Sequence, residues 1–353
     1  MSARDLVTLP RLGAPSVAPG GGWVVYPVTV TDADTLTRST QAWLRDLTDP
    51  EARPVQLDLG GPASAFAHGP DGKLYFLSSR APDGATGISQ VWRAAVGPNG
   101  AVGTPEQVTR FAHSVDGFAL SPAGNRIAVW GEIARDCDAF GCAGDGKAHL
   151  PGPGDGRLYD GAVGFVRHWD QWETPGTFAR VRVYDLLAEG AVGEGIAVDG
   201  PAGEGALVGD TPHKPFGGGE DLAWAPDGSA LYFVARQADA REPVSTNTDI
   251  YRSRLDGRKP ENLTSANAAY DFSPAPSPDG KWLAYLAMAQ PGYEADRQVV
   301  TLLDLERGLV TRVSDRLDRS IGSIAWTPDS RALIATAQDV LDTPAFRINP
   351  RSG

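Results

Sequence analysis

A short turn sequence of the form Pro-x-Gly recurs along this chain at a nearly constant spacing, and this periodicity constrains the fold more than any other feature. The copies begin at Pro19, Pro70, Pro122, Pro226, Pro278 and Pro328, and the last copy carries Ser330 in place of glycine. Successive prolines are 51, 52, 104, 52 and 50 residues apart. The period is therefore close to 52 residues, with one interval doubled.

Each copy lies between short segments rich in β-branched and aromatic residues, which predict strands. Within the turn, proline fixes φ, aspartate bonds to its own backbone, and glycine accepts a positive φ. The strand after the turn is predicted at Trp23–Tyr26, Leu74–Leu77, Ile127–Trp130, Leu231–Val234, Trp282–Tyr285 and Leu333–Thr336. A third strand follows at Gln41–Leu47, Gln90–Arg93, Val181–Asp185, Asp249–Arg252 and Val299–Asp304. Helical periodicity is confined to Ser2–Leu9.

Short antiparallel strands in units of about 40–50 residues predict an all-β fold, a β-propeller of four-stranded antiparallel blades. Six units are visible, near residues 10–55, 60–110, 111–210, 215–265, 270–315 and 318–350. The doubled interval falls in the third unit and is interpreted as an insertion at 135–177, because it contains no second Pro-x-Gly turn with flanking strands. An extra, degenerate blade is the alternative.

The composition excludes several classes of partner. With 32 basic and 44 acidic side chains, the net charge of −12 disfavours nucleic acid and anionic membranes, and it suits a cationic ligand such as a peptide amine. No apolar run approaches the roughly 20 residues that a membrane span needs. Residues 1–20 show no signal-peptide pattern, so we expect either a cytoplasmic protein or one whose signal has been removed. Cys137 and Cys142 either form one local disulfide or remain reduced thiols.

The sequence contains no motif for a catalytic nucleophile or a metal. No Gly-x-Ser-x-Gly occurs, and the five histidines lack metal-ligand spacing. We therefore predict no catalytic residue, no metal and no cofactor in this chain.

The densest group of chemically useful side chains is Arg167-His-Trp-Asp-Gln-Trp-Glu173. Read as one strand, its alternation places Arg167 and Trp169 on one face and Asp170 and Trp172 on the other. Asp170 or Glu173 could hold an amine, and Arg167 a peptide carbonyl. Alternatively, the tryptophans pack the insertion down and Arg167 pairs locally with Asp170.

A second group, Tyr293-Glu294-Ala-Asp296-Arg297, follows the strand that begins at Trp282. Glu294 and Asp296 are weaker candidates for the same role. The alternative for this segment is a solvated charged loop.

Several motifs together resemble the N-terminal propeller of serine peptidases of the prolyl-oligopeptidase family, near the branch of dipeptidyl-peptidase 5 and acylaminoacyl peptidase. The resemblance is carried by Ala3–Arg11, Arg167–Trp172, Ser245–Tyr251, Ser277–Tyr285 and Gln290–Arg297, and it runs along essentially the whole chain. The Pro-Asp-Gly turns alone are less specific, because TolB-like propellers share them.

In that family a seven-bladed propeller caps an α/β-hydrolase domain that carries the Ser-Asp-His triad. The resemblance thus implies a truncated seven-bladed ring, a hydrolase domain after Gly353, and a chain that is inactive alone. The propeller would gate entry and recognise peptides with a free or blocked N-terminus. The implied substrate-binding residues are Arg167, Trp169, Asp170, Trp172 and Glu173, with Glu294 and Asp296 as weaker candidates.

Many relatives are periplasmic or secreted, which would suit a Cys137–Cys142 bridge. Two rival functions remain open. One is a stand-alone six-bladed TolB-like propeller that acts as a protein-interaction module. The other is a propeller enzyme such as a lactonase, which needs a metal or a His/carboxylate cluster that the histidine spacing does not support.

Overall fold

The computed structural model describes residues 2–80, 86–134, 137, 140, 165–168, 171–173, 177–201, 207, 209–214 and 216–351. Contacts divide the chain into two compact units. The first comprises Met1–Gly131, Ala139–Ala143 and Tyr184–Gly195, and the second comprises Glu132–Asp138, Gly144–Val183 and Ile196–Gly353. No helix of the described residues has the length and apolar character needed to cross a membrane.

The first unit begins with helix α1 (Ala3–Thr8), which is capped by Ser2 and Asp5 through reciprocal hydrogen bonds. Its first sheet contains β1 (Arg11–Leu12), β2 (Ser16–Val17), β3 (Trp23–Thr31), β4 (Arg38–Asp46) and β5 (Val55–Leu57). Its second sheet contains β6 (Ser64–His68), β7 (Lys73–Arg80), β8 (Thr86–Ala95) and β9 (Glu106–Gln107).

The third sheet contains β10 (Gly117–Leu120), β11 (Arg126–Ala134), β14 (Thr177–Leu187) and β15 (Gly190–Ala197), and β11, β14 and β15 contribute residues to both units. Between β11 and β14 lies a separate two-stranded hairpin, β12 (Arg167–His168) with β13 (Gln171–Trp172).

Three sheets belong to the second unit. The fourth contains β16 (Leu222–Trp224), β17 (Leu231–Ala235), β18 (Asp249–Ser253) and β19 (Glu261–Asn262). The fifth contains β20 (Asp271–Pro276), β21 (Trp282–Ala287), β22 (Val299–Asp304) and β23 (Val310–Arg312). The sixth contains β24 (Ile321–Trp326), β25 (Leu333–Ala337) and β26 (Ala345–Ile348). Short 3-10 helices span Gly219–Asp221 and Glu242–Val244.

These six antiparallel sheets confirm the predicted all-β propeller fold, with six visible units and an insertion in the third, and the structure has six blades. Two sheets depart from the predicted four strands. The sixth has three strands among the described residues, and the first has five because its edge strand is interrupted. Both β1 and β2 pair with β3, but their registers differ by one residue across Gly13–Pro15, where proline supplies no N–H donor.

The Pro-x-Gly segments are the tight turns between the first and second strands of the sheets. In the fourth and fifth sheets, Gly228 and Gly280 both have φ of 70°, and their N–H groups donate to the carbonyls three residues earlier over 2.8 Å. Ser330 adopts φ of 58° in the sixth sheet, so the turn keeps its shape without glycine. The preceding aspartates accept the N–H two residues on, as in Asp227 with Ser229 over 3.0 Å.

Middle strands in the second unit bury both of their faces. Leu283 and Tyr285 of β21 pack against the fourth sheet, in a cluster with Tyr232 and Val234. Ala284 and Leu286, which alternate with them, join a different cluster with the sixth sheet. Because successive side chains point to opposite faces, a strand packed on both sides is apolar throughout. This explains the uninterrupted apolar run Trp282–Ala287.

The turn geometry predicts a cost for any side chain at Gly228. A Cβ there would meet no atom within 4 Å, so the Gly228→Ala variant tests backbone strain alone. We expect a loss of about 1 kcal/mol in the free energy of unfolding, because the left-handed conformation disfavours L-residues. Gly22→Ala is the control, since Gly22 has no positive φ and its Cβ would make only ordinary contact with Thr48. Urea denaturation that shows equal stability for both variants would contradict the turn assignment.

Asp271 predicts a dependence of stability on pH. Burial raises its pKa to about 7, although Asn267 donates to its Oδ1 over 2.8 Å, and its Oδ2 has no partner among the described residues. As pH rises from 4 to 7, the unfolded chain releases a proton that the folded chain retains, so this group lowers the free energy of unfolding. The Asp271→Asn variant removes this titration. We expect its stability relative to wild type to rise by roughly 3 kcal/mol between pH 4.5 and pH 8.

Asp227→Asn is the matched control for Asp271→Asn. Hydrogen bonds from the Ser229 side chain and N–H lower the pKa of Asp227. The contribution of Asp227 to stability is therefore lost as pH falls, whereas the contribution of Asp271 is lost as pH rises. Chemical denaturation at several pH values measures both variants, and a difference for Asp271→Asn that does not change with pH would show that the carboxyl titrates normally.

Candidate functional site

The second unit contains a cleft at one end of the strands of its sheets. Connections in an antiparallel sheet alternate between the two ends of its strands, so the β17–β18 and β21–β22 connections lie at the end opposite the Pro-Asp-Gly turns. A cleft of about 660 Å³ opens at the end of the sheets where β16, β20 and β24 begin. Its lining comes from these strands, from the two connections, and from the segments that precede β16 and β20.

Three residues from different segments form a hydrogen-bonded chain in this cleft. Asp221 Oδ2 lies 2.6 Å from His213 Nδ1, and His213 Nε2 is hydrogen-bonded to the Tyr270 hydroxyl. We assign the proton to Nδ1, which lets the imidazole donate to Asp221 and accept from Tyr270. Burial, and then the charge of Asp221, raise the pKa of Tyr270, so the phenol stays neutral. Tyr270 is thereby held with its oxygen lone pairs free to accept from a ligand.

Gly217 makes the approach of Asp221 to His213 sterically feasible. Its N–H donates to the His213 carbonyl over 2.8 Å. A Cβ at this position would lie 2.3 Å from both Asp221 Oδ2 and the His213 carbonyl oxygen. Only glycine fits between them without displacing the carboxylate.

Arg236 supplies a buried positive charge to the cleft. It follows β17, is 6% exposed, and its Cζ lies 5.7 Å from the centre of the Phe165 ring. Phe165 in turn contacts the His168 ring at 4.4 Å and donates its N–H to Glu242 over 3.1 Å. Burial raises the pKa of Glu242 to about 7 against the opposing effects of this hydrogen bond and of Arg236. Burial, and then Arg236, lower the pKa of His168.

Two carboxylates stand at the exposed side of the same cleft. Glu220 precedes β16, Glu294 lies in the β21–β22 connection, and both side chains are solvent-exposed. Each is close enough to Tyr270 to raise the pKa of that phenol further. The cleft therefore offers negative charge beside the Tyr270 oxygen and positive charge at Arg236. Phe272, Met288 and Ile324 contribute apolar walls.

The structure corrects the expectation that residues 167–173 form one strand. Residues Arg167–His168 and Gln171–Trp172 are instead the two paired strands of a hairpin. Arg167 therefore faces its cross-strand partner Trp172 on the same side, with its Cζ 5.6 Å from the centre of the exposed indole. Trp169 and Asp170 lie outside the described residues.

Glu173 belongs to a cluster of three carboxylates around one ammonium. Lys214 Nζ lies 3.3 Å from Asp210 and from Glu132, and 3.4 Å from Glu173. Burial alone would lower the pKa of Lys214, but these three carboxylates raise it. Burial raises the pKa of Asp210 to about 6 despite the ammonium. Glu173 is therefore already paired within the protein.

The structure gives different roles to Glu294 and Asp296, the two weaker candidates from the sequence. Glu294 lines the cleft, as a ligand-binding residue would. Asp296 instead accepts backbone N–H groups of its own loop, from Ala289 over 2.7 Å, Gln290 over 2.8 Å and Arg297 over 2.8 Å. The Ala289 and Gln290 bonds lower the pKa of Asp296 most. Its carboxylate holds the loop that presents Glu294.

Cys137 is buried and disulfide-bonded, and the other cysteine, Cys142, lies outside the described residues. The carbonyl of Cys137 accepts from Arg180, which also forms a buried ion pair with Asp199 over 2.7 Å. Within the described part of the chain, no group of three or more His, Cys, Asp or Glu side chains is placed to hold a metal ion.

Sequence reasoning missed five residues of the cleft, namely His213, Glu220, Asp221, Arg236 and Tyr270. They come from segments far apart along the chain, so no local motif contains them. The one usable signal was the run Gly217–Gly219 between His213 and Asp221, because consecutive glycines mark close approach of the backbone to other groups.

The fold defines a β-propeller protein, and comparison with known proteins identifies its relatives. No protein-family model matches the chain. Dipeptidyl-peptidase 5 of Porphyromonas gingivalis is 30% identical over 193 residues, which cover 53% of this chain and 26% of that protein. Dipeptidyl-peptidase 5 of Arthroderma otae is 26% identical over 358 residues, covering 95% of this chain and 46% of that protein. The chain spans less than half the length of these curated relatives.

Solved structures share the same fold. The acylaminoacyl peptidase of Pyrococcus horikoshii matches 98% of this chain and 45% of its own, with a TM-score of 0.62 and 16% identity. The propeller domain of the Trilobed protease from Pyrococcus furiosus matches 98% of this chain and 85% of its own, with a TM-score of 0.58 and 13% identity. These findings confirm the predicted resemblance: the chain is similar in sequence to dipeptidyl-peptidase 5 and shares its propeller fold with the acylaminoacyl peptidase and the Trilobed protease.

The Lys214 cluster gives a test of the electrostatics beside the cleft. Replacing the ammonium in Lys214→Met leaves three carboxylates facing one another, and we expect a loss of roughly 2–3 kcal/mol of stability at pH 8. The loss should shrink at pH 5, where Asp210 takes up a proton. Lys73→Met changes the net charge equally but breaks only the more exposed pair with Glu106, so it should cost less than about 1 kcal/mol. Equal losses in urea denaturation would contradict the proposed cluster.

Proposed function

We propose that this chain is the substrate-recognising propeller of a serine exopeptidase of the dipeptidyl-peptidase type. In this proposal an α/β-hydrolase domain supplies the Ser-Asp-His triad, and the propeller admits short or unfolded peptides and binds their amino terminus. The observation that carries the proposal is the pair of carboxylates, Glu220 and Glu294, which line the same apolar-walled cleft as Tyr270 and whose negative charges both raise the pKa of its phenol.

The chemistry of a peptide amino terminus suits this arrangement. An ammonium group needs anionic or lone-pair acceptors, and Glu220, Glu294 and the Tyr270 oxygen provide both kinds. With the His213 proton on Nδ1, the neutral Tyr270 hydroxyl donates a hydrogen bond to His213 Nε2, so its oxygen can accept one from the ammonium. The apolar walls would take up the first side chains of the peptide. A net charge of −12 would also favour the approach of cationic groups.

Two further findings support the proposal. The curated relatives carry the name dipeptidyl-peptidase 5, and the chain matches less than half of their length. The disulfide at Cys137 favours an oxidising compartment, because disulfides persist in secreted and periplasmic proteins and are rare in the cytosol. A periplasmic or secreted peptidase would meet both conditions.

In the complete enzyme, the propeller would contribute binding and selection, and the hydrolase domain the bond-breaking steps. The serine would attack the peptide carbonyl, histidine would take the serine proton, and backbone amides would stabilise the oxyanion. The carboxylates of the cleft would fix how far the amino terminus lies from that serine. This distance would determine how many residues are released.

The test is to compare peptide binding with and without a free amine. We expect a tripeptide with a free amino terminus to bind the full chain about tenfold more tightly than its N-acetyl form, because a charged hydrogen bond is lost on acetylation. Glu294→Gln and Glu220→Gln should each remove much of this difference. Glu306→Gln is the control, because Glu306 is an exposed acid in the β22–β23 turn, at the strand ends opposite the cleft. This variant should bind as wild type does. Isothermal titration calorimetry measures all four proteins.

Two results would count against the proposal. Equal affinity of wild type for free and acetylated peptides would exclude recognition of the amine and would favour an acylaminoacyl-type preference. An equal loss of affinity in Glu306→Gln would show that net charge alone attracts the peptide.

A further inference from the structure

The buried guanidinium of Arg236 has more hydrogen-bonding capacity than the protein uses. The side chain is 6% exposed and lines the cleft, yet its Nε has no hydrogen-bond partner among the described residues. None of the ion pairs recorded for the described part of the chain includes Arg236. A buried donor on a charged group is costly to leave unpaired, so this one points to a ligand.

The surroundings of Arg236 do not cancel its charge. Glu242 is the nearby buried acid, but its Oε2 accepts the Phe165 N–H. Burial raises the pKa of Glu242 to about 7, so near neutral pH this carboxyl is ionised only in part. The Phe165 ring covers one side of the guanidinium, which leaves its edge as the hydrogen-bonding surface. An anionic oxygen group in the cleft would meet a positive charge that the protein compensates only in part.

We propose that Arg236 forms a carboxylate-binding subsite, so that the cleft binds short peptides by a carboxylate as well as by their amino terminus. This inference rests on the proposed function for the amino-terminal end. The guanidinium fork matches two carboxylate oxygens, and such pairs are stronger than bonds to a neutral carbonyl. The cleft volume of about 660 Å³ lies within the range of sites for small ligands.

The different burial of the charged side chains indicates how a peptide would be oriented in the cleft. Glu220 and Glu294 are exposed, whereas Arg236 is buried, so a bound peptide would place its ammonium outward and its carboxylate inward. Phe272 and Met288 would line the path between these ends. A zwitterionic peptide would satisfy both sets of charges at once.

Trialanine, trialanine amide and Ala-Glu-Ala amide are the probes for this subsite. We expect wild type to bind trialanine at least tenfold more tightly than its amide, since amidation removes the carboxylate. Ala-Glu-Ala amide tests whether the subsite also accepts a side-chain carboxylate. Affinity equal to that of trialanine would show that an acidic side chain can replace the terminal carboxylate, and affinity equal to that of trialanine amide would restrict the subsite to the carboxyl terminus. Calorimetry on the full chain measures each dissociation constant.

Arg236→Gln is the decisive variant. It should lose the preference for trialanine over the amide while binding the amide as wild type does, and that retained binding shows that the variant is folded. Arg241→Gln is the control, because Arg241 carries the same charge in the same connection but is exposed and paired with Asp239 over 2.6 Å. It should keep the preference.

The proposal is overturned if wild type binds trialanine and its amide equally, if Arg236→Gln keeps the preference, or if no probe binds at millimolar concentration. N-acetyl trialanine separates this result from the proposed function. If acetylation has no effect while amidation still weakens binding, then recognition of the amine fails and the Arg236 subsite stands. If only acetylation weakens binding, the subsite fails and the proposed function stands.

Discussion

Strand β21 packs alternate side chains against two different sheets, and this two-sided burial determines where the second unit can place polar chemistry. Leu283 and Tyr285 pack against the fourth sheet, and Ala284 and Leu286 pack against the sixth. A strand with no free face has no position for a solvated carboxylate or an exposed base. Ligand-binding groups are therefore confined to the connections and to the first strand of each sheet, and the cleft residues come from those places.

The same constraint explains why the fold could be predicted from the sequence. Two-sided burial produces unbroken apolar segments such as Leu231–Ala235, and the tight turns before them need proline, aspartate and glycine at fixed offsets. Both signals are local, so their repetition at about 52 residues was enough to predict the six units. The interrupted edge of the first sheet was not predicted, because a register change of one residue depends on pairing partners rather than on composition.

Much less of the cleft could be predicted. Glu294 was found because it lies in a charged segment after a clear strand, but Arg236 is flanked by the uncharged Ala235 and Gln237, and no motif includes it. Its burial beside Phe165 depends on packing between distant segments. The reversal between Arg167 and Trp172 was missed because that segment contains neither glycine nor proline, the residues that usually signal a turn. Clusters of charge along the chain thus identified one cleft residue, and tertiary packing supplied the others.

The broken edge of the first sheet has a consequence for association between chains. An intact edge strand presents a row of free N–H and C=O groups, which can pair with the edge of another molecule. Here β1 and β2 each contribute two residues, and Pro15 stands between them without an N–H group. The offset of one residue also shifts the two halves out of a common register. An incoming strand could match one half or the other but not both, and this edge is therefore a poor template for β-sheet aggregation.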